Sequence, residues 1–243
     1  MTITRNYLTK NPCYQSGRKI TPKGIVVHDT GVNQKRISAY TDNWNRSGVS
    51  TCVHAFIGLD DSGKLSVVQT LPWNYRPWGC GSGSKGSYNN SCIQFEICED
   101  GRTDRDYFTQ AYQKAVELCA YLCKQYGIDP GNICDHAEAH ARGYASNHAD
   151  TSDWFPRFGK SMGDFRADVT AELKTASASD TLQPYTVRVT ASVLNVRRGP
   201  GTGYAVVTTV KKGEVYTVTD ERNGWGKLKS GAGWISLKYT EKT

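Results

Sequence analysis

Gly24-Ile25-Val26-Val27-His28 is a short apolar run, rich in β-branched residues, that opens on a glycine and closes on a histidine. A run of this kind bounded by turn-forming residues reads as a strand. Similar runs at residues 52–57, 65–70 and 93–97 are bounded by Gly, Asp or Asn, so the first part of the chain holds a sheet. Further on the period changes. Phe108, Tyr112, Val116, Cys119, Leu122, Cys123 and Tyr126 recur at helical spacing, with Asp106 expected as N-cap, Gly127 as the stop and Pro130 beyond. That stripe predicts an amphipathic helix packed on the sheet. A second helix is expected from about Ser161, with Asp164 three residues on and Phe165, Val169 and Leu173 facing inward; a shorter one carries Ile37, Tyr40 and Trp44. Mixed strands and helices predict an α/β domain. Residues 79–87, rich in Gly and Ser, read as a flexible surface loop.

Residues 171–183 pass from a helical pattern into small, Ser/Thr-rich sequence ahead of Pro184, which marks a domain boundary. The expected division is residues 1–172, a linker at 173–183, and residues 184–243. The last segment has no helical period. Short strands at 185–189, 206–210, 214–218, 226–229 and 233–235, punctuated by Arg198-Gly199-Pro200-Gly201, Lys212-Gly213 and Asn223-Gly224, predict a small β-barrel.

At 38% hydrophobic residues over 243 positions the chain can bury a substantial core. No apolar run approaches the roughly 18 residues of a membrane span. The start, Met1-Thr2-Ile3-Thr4-Arg5-Asn6, lacks an export signal's apolar segment, so cytoplasmic synthesis without membrane insertion is expected. Eight cysteines occur, several within apolar strand or helix patterns and none in a CxxC pair, which predicts buried thiols rather than a cysteine metal site. From residue 184 onward ten Lys/Arg face four Asp/Glu, so this segment carries six of the seven net positive charges. A basic module favours anionic polymers, nucleic acids and teichoic-acid-bearing walls alike.

Three of the five histidines fall within residues 134–153, C-D-H-A-E-A-H-A-R-G-Y-A-S-N-H-A-D-T-S-D. Neutral imidazole is the commonest protein ligand for zinc, so a strand-end His28 with this remote His/Asp cluster suggests a metal site. Strand alternation puts Glu96 on one face with Gln94, while Ile93, Phe95 and Ile97 point the other way. His54 likewise interrupts an apolar strand. A buried carboxylate requires a cation, a hydrogen-bond network or a shifted pKa, and beside a metal Glu96 becomes a candidate general base. The downstream candidates are His136, His140, His148, Asp150 and Asp153. His136 and His140 are one turn apart, but Glu138 lies midway and would point to the opposite helix face, which argues against a zincin helix. Residues 133–136 read instead as the end of a short strand delivering His136.

The succession Ile25-Val26-Val27-His28, His54-Ala55-Phe56-Ile57, Trp78-Gly79-Cys80-Gly81, residues 89–96 (N-N-S-C-I-Q-F-E) and residues 133–136 resembles the type-2 N-acetylmuramoyl-L-alanine amidases. These belong with phage wall-lytic amidases and peptidoglycan-recognition proteins. The resemblance covers about residues 1–172. It is closest to endolysins of phages infecting Clostridium-like bacteria, whose segment is similar to His136, residues 145–150, Trp154-Phe155 and Gly159-Lys160-Ser161-Met162. It implies a central mixed β-sheet flanked by helices and a zinc hydrolase cutting the bond between N-acetylmuramic acid and L-alanine. Carried over residue by residue, it places zinc on His28 and His136, with Asp150 favoured as third ligand and His148 as stabiliser of the transition state; the swapped assignment is the alternative. Glu96 takes the place of the catalytic glutamate. His140 matches no role and is read as structural, while Trp78, Asn89 and His54 are candidate substrate contacts. Two departures stand out: Gly79 follows Trp78 where many members have a histidine, and the third-ligand segment is longer than usual.

Leu194-Asn195-Val196-Arg197-Arg198-Gly199-Pro200-Gly201, with Gly224-Trp225-Gly226 and Gly233-Trp234-Ile235, resembles the bacterial SH3-like wall-targeting domain. Together the two resemblances imply a monomeric phage-type endolysin with peptidoglycan, not nucleic acid, as its partner. It would be made in the cytoplasm and act on the wall after release from an infected host, or from outside. The alternatives are a non-catalytic peptidoglycan-binding protein and a hydrolase of another wall bond.

Overall fold

The computed structural model describes residues 1–179 and 184–243 and divides into two compact units, Met1–Thr170 and Ala171–Thr243. Along the first run β1 (Thr4–Arg5), α1 (Pro12–Ser16), β2 (Gly24–Asn33), α2 (Ser38–Trp44), β3 (Ala55–Leu59), β4 (Leu65–Gln69), β5 (Cys92–Glu99), α3 (Arg105–Tyr126), β6 (Ile133–Asp135), α4 (His136–Ala141), α5 (Thr151–Trp154) and the start of α6 (Met162–Ser179), whose residues from Ala171 on belong to the second. The strands form one mixed sheet ordered β1-β4-β3-β5-β2-β6. β3 and β4 are antiparallel, whereas β1 on β4, β3 on β5, β5 on β2 and β2 on β6 are parallel.

Continuous apolar runs belong to strands covered on both faces. Every residue of β5, and residues 24–29 of β2, is buried. The helix α3 buries Phe108, Tyr112, Val116, Cys119 and Leu122, the stripe expected from their spacing. Its start differs from the expectation. Asp104, not Asp106, is the N-cap, its Oδ1 accepting from the backbone N–H groups of Asp106 and Tyr107 at 3.0 Å each. Asp106 is thereby left in the first turn, where a carboxylate suits the helix dipole. Gly127 ends the helix in a left-handed conformation, φ 65°. Before α6, Ser161 and Asp164 cap reciprocally: Ser161 N–H donates to Asp164 Oδ2 at 2.8 Å, and Asp164 N–H donates to Ser161 Oγ at 3.1 Å. The helix continues through Ser179, so residues 173–179 of the expected linker are helical, and residues 180–183 lie outside the described ones.

Register brings the chemistry together. His28 in β2 pairs with Glu96 in β5. Val27 pairs with Asp135 in β6, so His136 follows one residue later as the first residue of α4. His136 thus follows the carboxyl end of β6, beside the middle of the adjacent parallel strands β2 and β5 that carry His28 and Glu96. Residues 79–87, expected as a flexible loop, are instead a packed wall. Lys85 N–H donates to the Gly143 carbonyl at 2.8 Å, Ser146 N–H to the Cys80 carbonyl at 2.9 Å, and Tyr88 stacks on Tyr144 with centroids 4.7 Å apart. All eight cysteines are free thiols, seven of them buried.

The second unit contains β7 (Tyr185–Val189), β8 (Val193–Arg197), β9 (Val206–Lys211), β10 (Val215–Arg222), β11 (Trp225–Leu228), β12 (Trp234–Ser236) and β13 (Thr240–Lys242) in an antiparallel sheet ordered β13-β7-β10-β11-β12-β8-β9. Val187, Val189, Leu194, Val196, Val210, Val218, Leu228 and Ile235 form its core. Two strands, β8 and β13, were not among those expected. In β8, Leu194 and Val196 point inward while Val193 and Asn195 point out. Among the described residues, no helix is long and apolar enough to cross a membrane.

Candidate metal centre

Three ligand-type atoms converge at His28, which lies not at the end of β2, as expected, but at its middle, one residue before the buried stretch ends. His28 Nδ1 lies 2.7 Å from Asp150 Oδ2, His136 Nδ1 lies 3.1 Å from the same oxygen, and the two Nδ1 atoms are 3.2 Å apart. The rings meet nearly edge to face, at 86°. Two imidazole nitrogens and a carboxylate oxygen in this arrangement can hold a metal ion. Asp150 arrives there with φ 45° and ψ −128°, a conformation rare for a residue with a side chain, costing about 1–3 kcal/mol. Asp135 holds the surrounding chain in place. Its Oδ1 accepts from Glu138 N–H at 2.8 Å at the start of α4, and its Oδ2 accepts from the hydroxyls of Thr151 and Ser152 at 3.1 and 2.5 Å, just after Asp150.

The orientation of His28 follows from a chain of hydrogen bonds. Gly79 and Cys80 donate their backbone N–H groups to Asn89 Oδ1 at 3.1 and 3.3 Å, which defines that atom as the acceptor, and Asn89 Nδ2 donates to the Gly81 carbonyl at 2.9 Å. Gln94 Nε2 donates to the same Asn89 Oδ1 at 2.8 Å. Gln94 Oε1 must then face His28, and His28 Nε2–H donates to it at 3.1 Å. The proton is fixed on Nε2, and the Nδ1 lone pair is left for a cation. His136 is held in the same sense: Ser146 Oγ donates to the Cys80 carbonyl at 3.3 Å and accepts from His136 Nε2–H at 3.3 Å. A Cβ on Gly79 would overlap Gln94 Oε1. Any side chain at this position, a histidine included, is therefore incompatible with this placement of Gln94.

Charge at the centre follows from burial and pairing. Burial opposes protonation of His28, but hydrogen bonding and charge from Asp150 outweigh it, and among protein groups alone its pKa is pushed up to about 9. Burial works against ionisation of Asp150, yet the two imidazoles hold it well below the usual carboxylate range. Glu96 is buried, its Oε2 has no hydrogen-bond partner, and its pKa is pushed up to about 8 by burial, with His28 acting in the opposite direction. A buried carboxyl with an unpartnered oxygen is costly to keep unless it serves the site.

A groove of about 360 Å³ opens over these groups, with Glu96, His136, Asp150, His148 and Trp78 in its walls. The exposed His148 stacks on His136, ring centroids 4.7 Å apart at 23°. Two expected substrate contacts are placed elsewhere. His54 is fully buried, its Nδ1 accepting from Gln94 N–H at 3.0 Å and its Nε2–H donating to the Tyr75 carbonyl at 2.9 Å. Burial accordingly pushes its pKa down to about 4. Asn89 is also fully buried and acts on Gln94 from behind. His140 Nδ1–H donates to the Ala145 carbonyl at 3.1 Å, a structural bond within the loop. Glu138 turns away and grips Arg166 through two bonds of 2.7 and 3.1 Å. Asp153 faces Arg102 at 3.7 Å. Sequence reasoning gave no role to Asp135, Ser146 or Asp29. Asp29 lines the groove, accepts from Gly31 N–H at 3.0 Å and pairs with Arg102 at 3.4 Å.

Comparison with known proteins agrees with this architecture. Residues 17–153 match the family model for N-acetylmuramoyl-L-alanine amidase, and residues 192–241 match that for the bacterial SH3 domain. A bifunctional autolysin of Staphylococcus epidermidis is 30% identical over 134 residues, covering 55% of this chain and 9% of that protein. The N-acetylmuramoyl-L-alanine amidase CwlH of Bacillus subtilis is 26% identical over 136 residues, covering 56% of this chain and 52% of CwlH. The chain thus spans less than a tenth of the autolysin and about half of CwlH. Among solved structures, PlyL superposes with a TM-score of 0.55 at 22% identity, covering 70% of this chain and 97% of that one. The Staphylococcus aureus hydrolase AmiA gives 0.56 at 23%, covering 73% and 86%. The family match spans more than half of the chain, and strands β2 to β6 and the His/His/Asp cluster fall within it: the chain belongs to the N-acetylmuramoyl-L-alanine amidase family, here joined to a bacterial SH3 domain.

Proposed function

We propose that this chain is a zinc-dependent peptidoglycan hydrolase cleaving the amide between N-acetylmuramic acid and L-alanine, held on the wall by residues 184–243. The observation that carries this reading is the convergence of His28 Nδ1, His136 Nδ1 and Asp150 Oδ2 in one groove with a buried carboxyl, Glu96. The donor set fits zinc. Ligand atoms around one tetrahedral zinc sit about 3.3 Å apart, and a set of three protein ligands leaves the fourth position open, as hydrolysis needs. The three separations here, 2.7, 3.1 and 3.2 Å, come close to that spacing.

When bound, zinc supplies a Lewis acid for the scissile carbonyl and acidifies water. Glu96 does the proton work. A neighbouring cation favours its ionised form against the burial that raises its pKa, so it can take a proton from the attacking water and return it to the leaving alanine nitrogen. His148, on the exposed side of His136, offers a ring N–H to the developing oxyanion. Trp78 offers an aromatic wall to the substrate. The positive charge of residues 184–243 supports attraction to an anionic wall polymer, and tethering raises the enzyme's local concentration there. Cytoplasmic synthesis, action on the wall after release and a monomeric state belong to the same reading.

Digestion of purified walls tests it. The expected products are new L-alanine amino groups without new reducing sugar ends, abolished by chelation and by His28→Ala. Reducing ends would mean a glycosidase, and wall binding with neither product would mean a non-catalytic binding protein.

A further inference from the structure

Beside the metal centre opens a second hollow of about 210 Å³, with Trp78 as a wall common to both. Two guanidinium groups line it, Arg18 and Arg76, and no carboxylate does. The fold sets these residues side by side, Arg76 N–H donating to the Arg18 carbonyl at 2.8 Å. Arg76 is oriented by its Nε–H, which donates to Asn90 Oδ1 at 2.7 Å, and by the Trp78 ring 4.8 Å away. Among the described residues neither guanidinium has an ion-pair partner, and the terminal nitrogens of Arg76 make no hydrogen bond. Burial and then the charge of Arg18 both push the Arg76 pKa down. The thiols of Cys13 and Cys80 act in the opposite direction, but like charges brought together without a carboxylate are relieved by an anion, and the guanidinium fork matches a carboxylate.

The substrate of the proposed reaction has two unlike arms. On the glycan side the lactyl carboxyl is consumed in the scissile amide, whereas the peptide side carries free carboxylates. We propose that Arg18 and Arg76 form an anion subsite that takes a carboxylate of the peptide arm and so directs that arm past Trp78. This rests on the amidase reading of the adjacent groove. It adds an orientation of the substrate and two specificity-determining residues.

The test compares a soluble muramoyl peptide bearing free carboxylates with the same peptide fully amidated, using the full chain loaded with zinc. The wild type is expected to favour the carboxylate form by about tenfold in kcat/KM, expressed in KM, the scale of a charge-assisted hydrogen bond at a partly exposed site. Arg18→Gln, at an exposed position, should bring the carboxylate substrate down to the level of the amidated one; Arg18→Lys should keep part of the preference. Lys19→Gln, an exposed neighbour whose ammonium sits over Tyr75, should keep all of it. Equal cleavage of both substrates by the wild type, or an undiminished preference in Arg18→Gln, would overturn the subsite and leave the amidase reading standing. Cleavage of neither form would sink both.

Discussion

Replacing Gly79 by alanine adds one methyl group that overlaps Gln94 Oε1 and comes within 2.9 Å of Val53 Cγ1. Gln94 cannot swing aside cheaply, because it is fully buried and its Nε2 is committed to Asn89 Oδ1 at 2.8 Å. The amide must leave its place, and His28 Nε2–H loses the acceptor that fixes the tautomer. Loss of such a partner behind a metal-binding histidine typically lowers metal affinity by about 10- to 100-fold, or roughly 1.4–2.8 kcal/mol. Competition against a chromophoric chelator reads zinc affinity directly, with a thermal melt to confirm folding. Gln94→Ala should produce a loss of similar size. Gly79→Ala added to it should then cost almost nothing more, because both substitutions remove the same bond. A folded Gly79→Ala protein with wild-type zinc affinity, or strictly additive losses in the pair, would refute the argument.

Three further outcomes follow from the same structure. Glu96→Gln keeps the ligand atoms and should retain stoichiometric zinc, while amide hydrolysis falls by about a hundredfold to ten-thousandfold, the worth of a positioned general acid–base; near-normal turnover would remove Glu96 from the mechanism. His54 has a pKa of about 4 in the fold against 6.5 unfolded, so between those values the unfolded chain binds the extra proton and stability falls with falling pH by roughly 3 kcal/mol. Above pH 6.5 the contribution vanishes, and urea melts of His54→Gln should show a correspondingly shallower acid slope; an unchanged slope would contradict the assignment. Wall binding by the full chain should weaken as salt rises, since the screening length shrinks from about 10 Å at 0.1 M to about 3 Å at 1 M; a flat response would mean that the charge on residues 184–243 plays no part.

Much of the centre was legible in the sequence because strands announce it. His28 and Glu96 end or interrupt apolar runs whose register is dictated by burial, and His136 follows the first strand-like residues after a helix stop. The α3 stripe and the Ser161–Asp164 box were readable for the same reason, local periodicity and capping chemistry. What escaped depends on contacts distant in sequence. Nothing local tells that Asp135 grips Thr151 and Ser152, or that Ser146 reaches His136. His54 and Asn89 show the matching error: a polar residue amid apolar neighbours can face a groove or be satisfied by buried backbone and amide groups, and only the fold decides. The Asp104 cap was missed because two aspartates lie two residues apart and either suits the position. Gly79 was visible as a departure, but its meaning required the position of Gln94.

The central claim is that His28, His136 and Asp150 hold the catalytic zinc beside Glu96. Anomalous diffraction at the zinc edge, from crystals of the zinc-loaded chain, tests it most directly. One peak should lie about 2.0–2.2 Å from His28 Nδ1, His136 Nδ1 and an Asp150 carboxylate oxygen, with His148 uncoordinated. A peak bound by His148 with Asp150 remote, or by the Nε2 atoms of the histidines, would contradict the account.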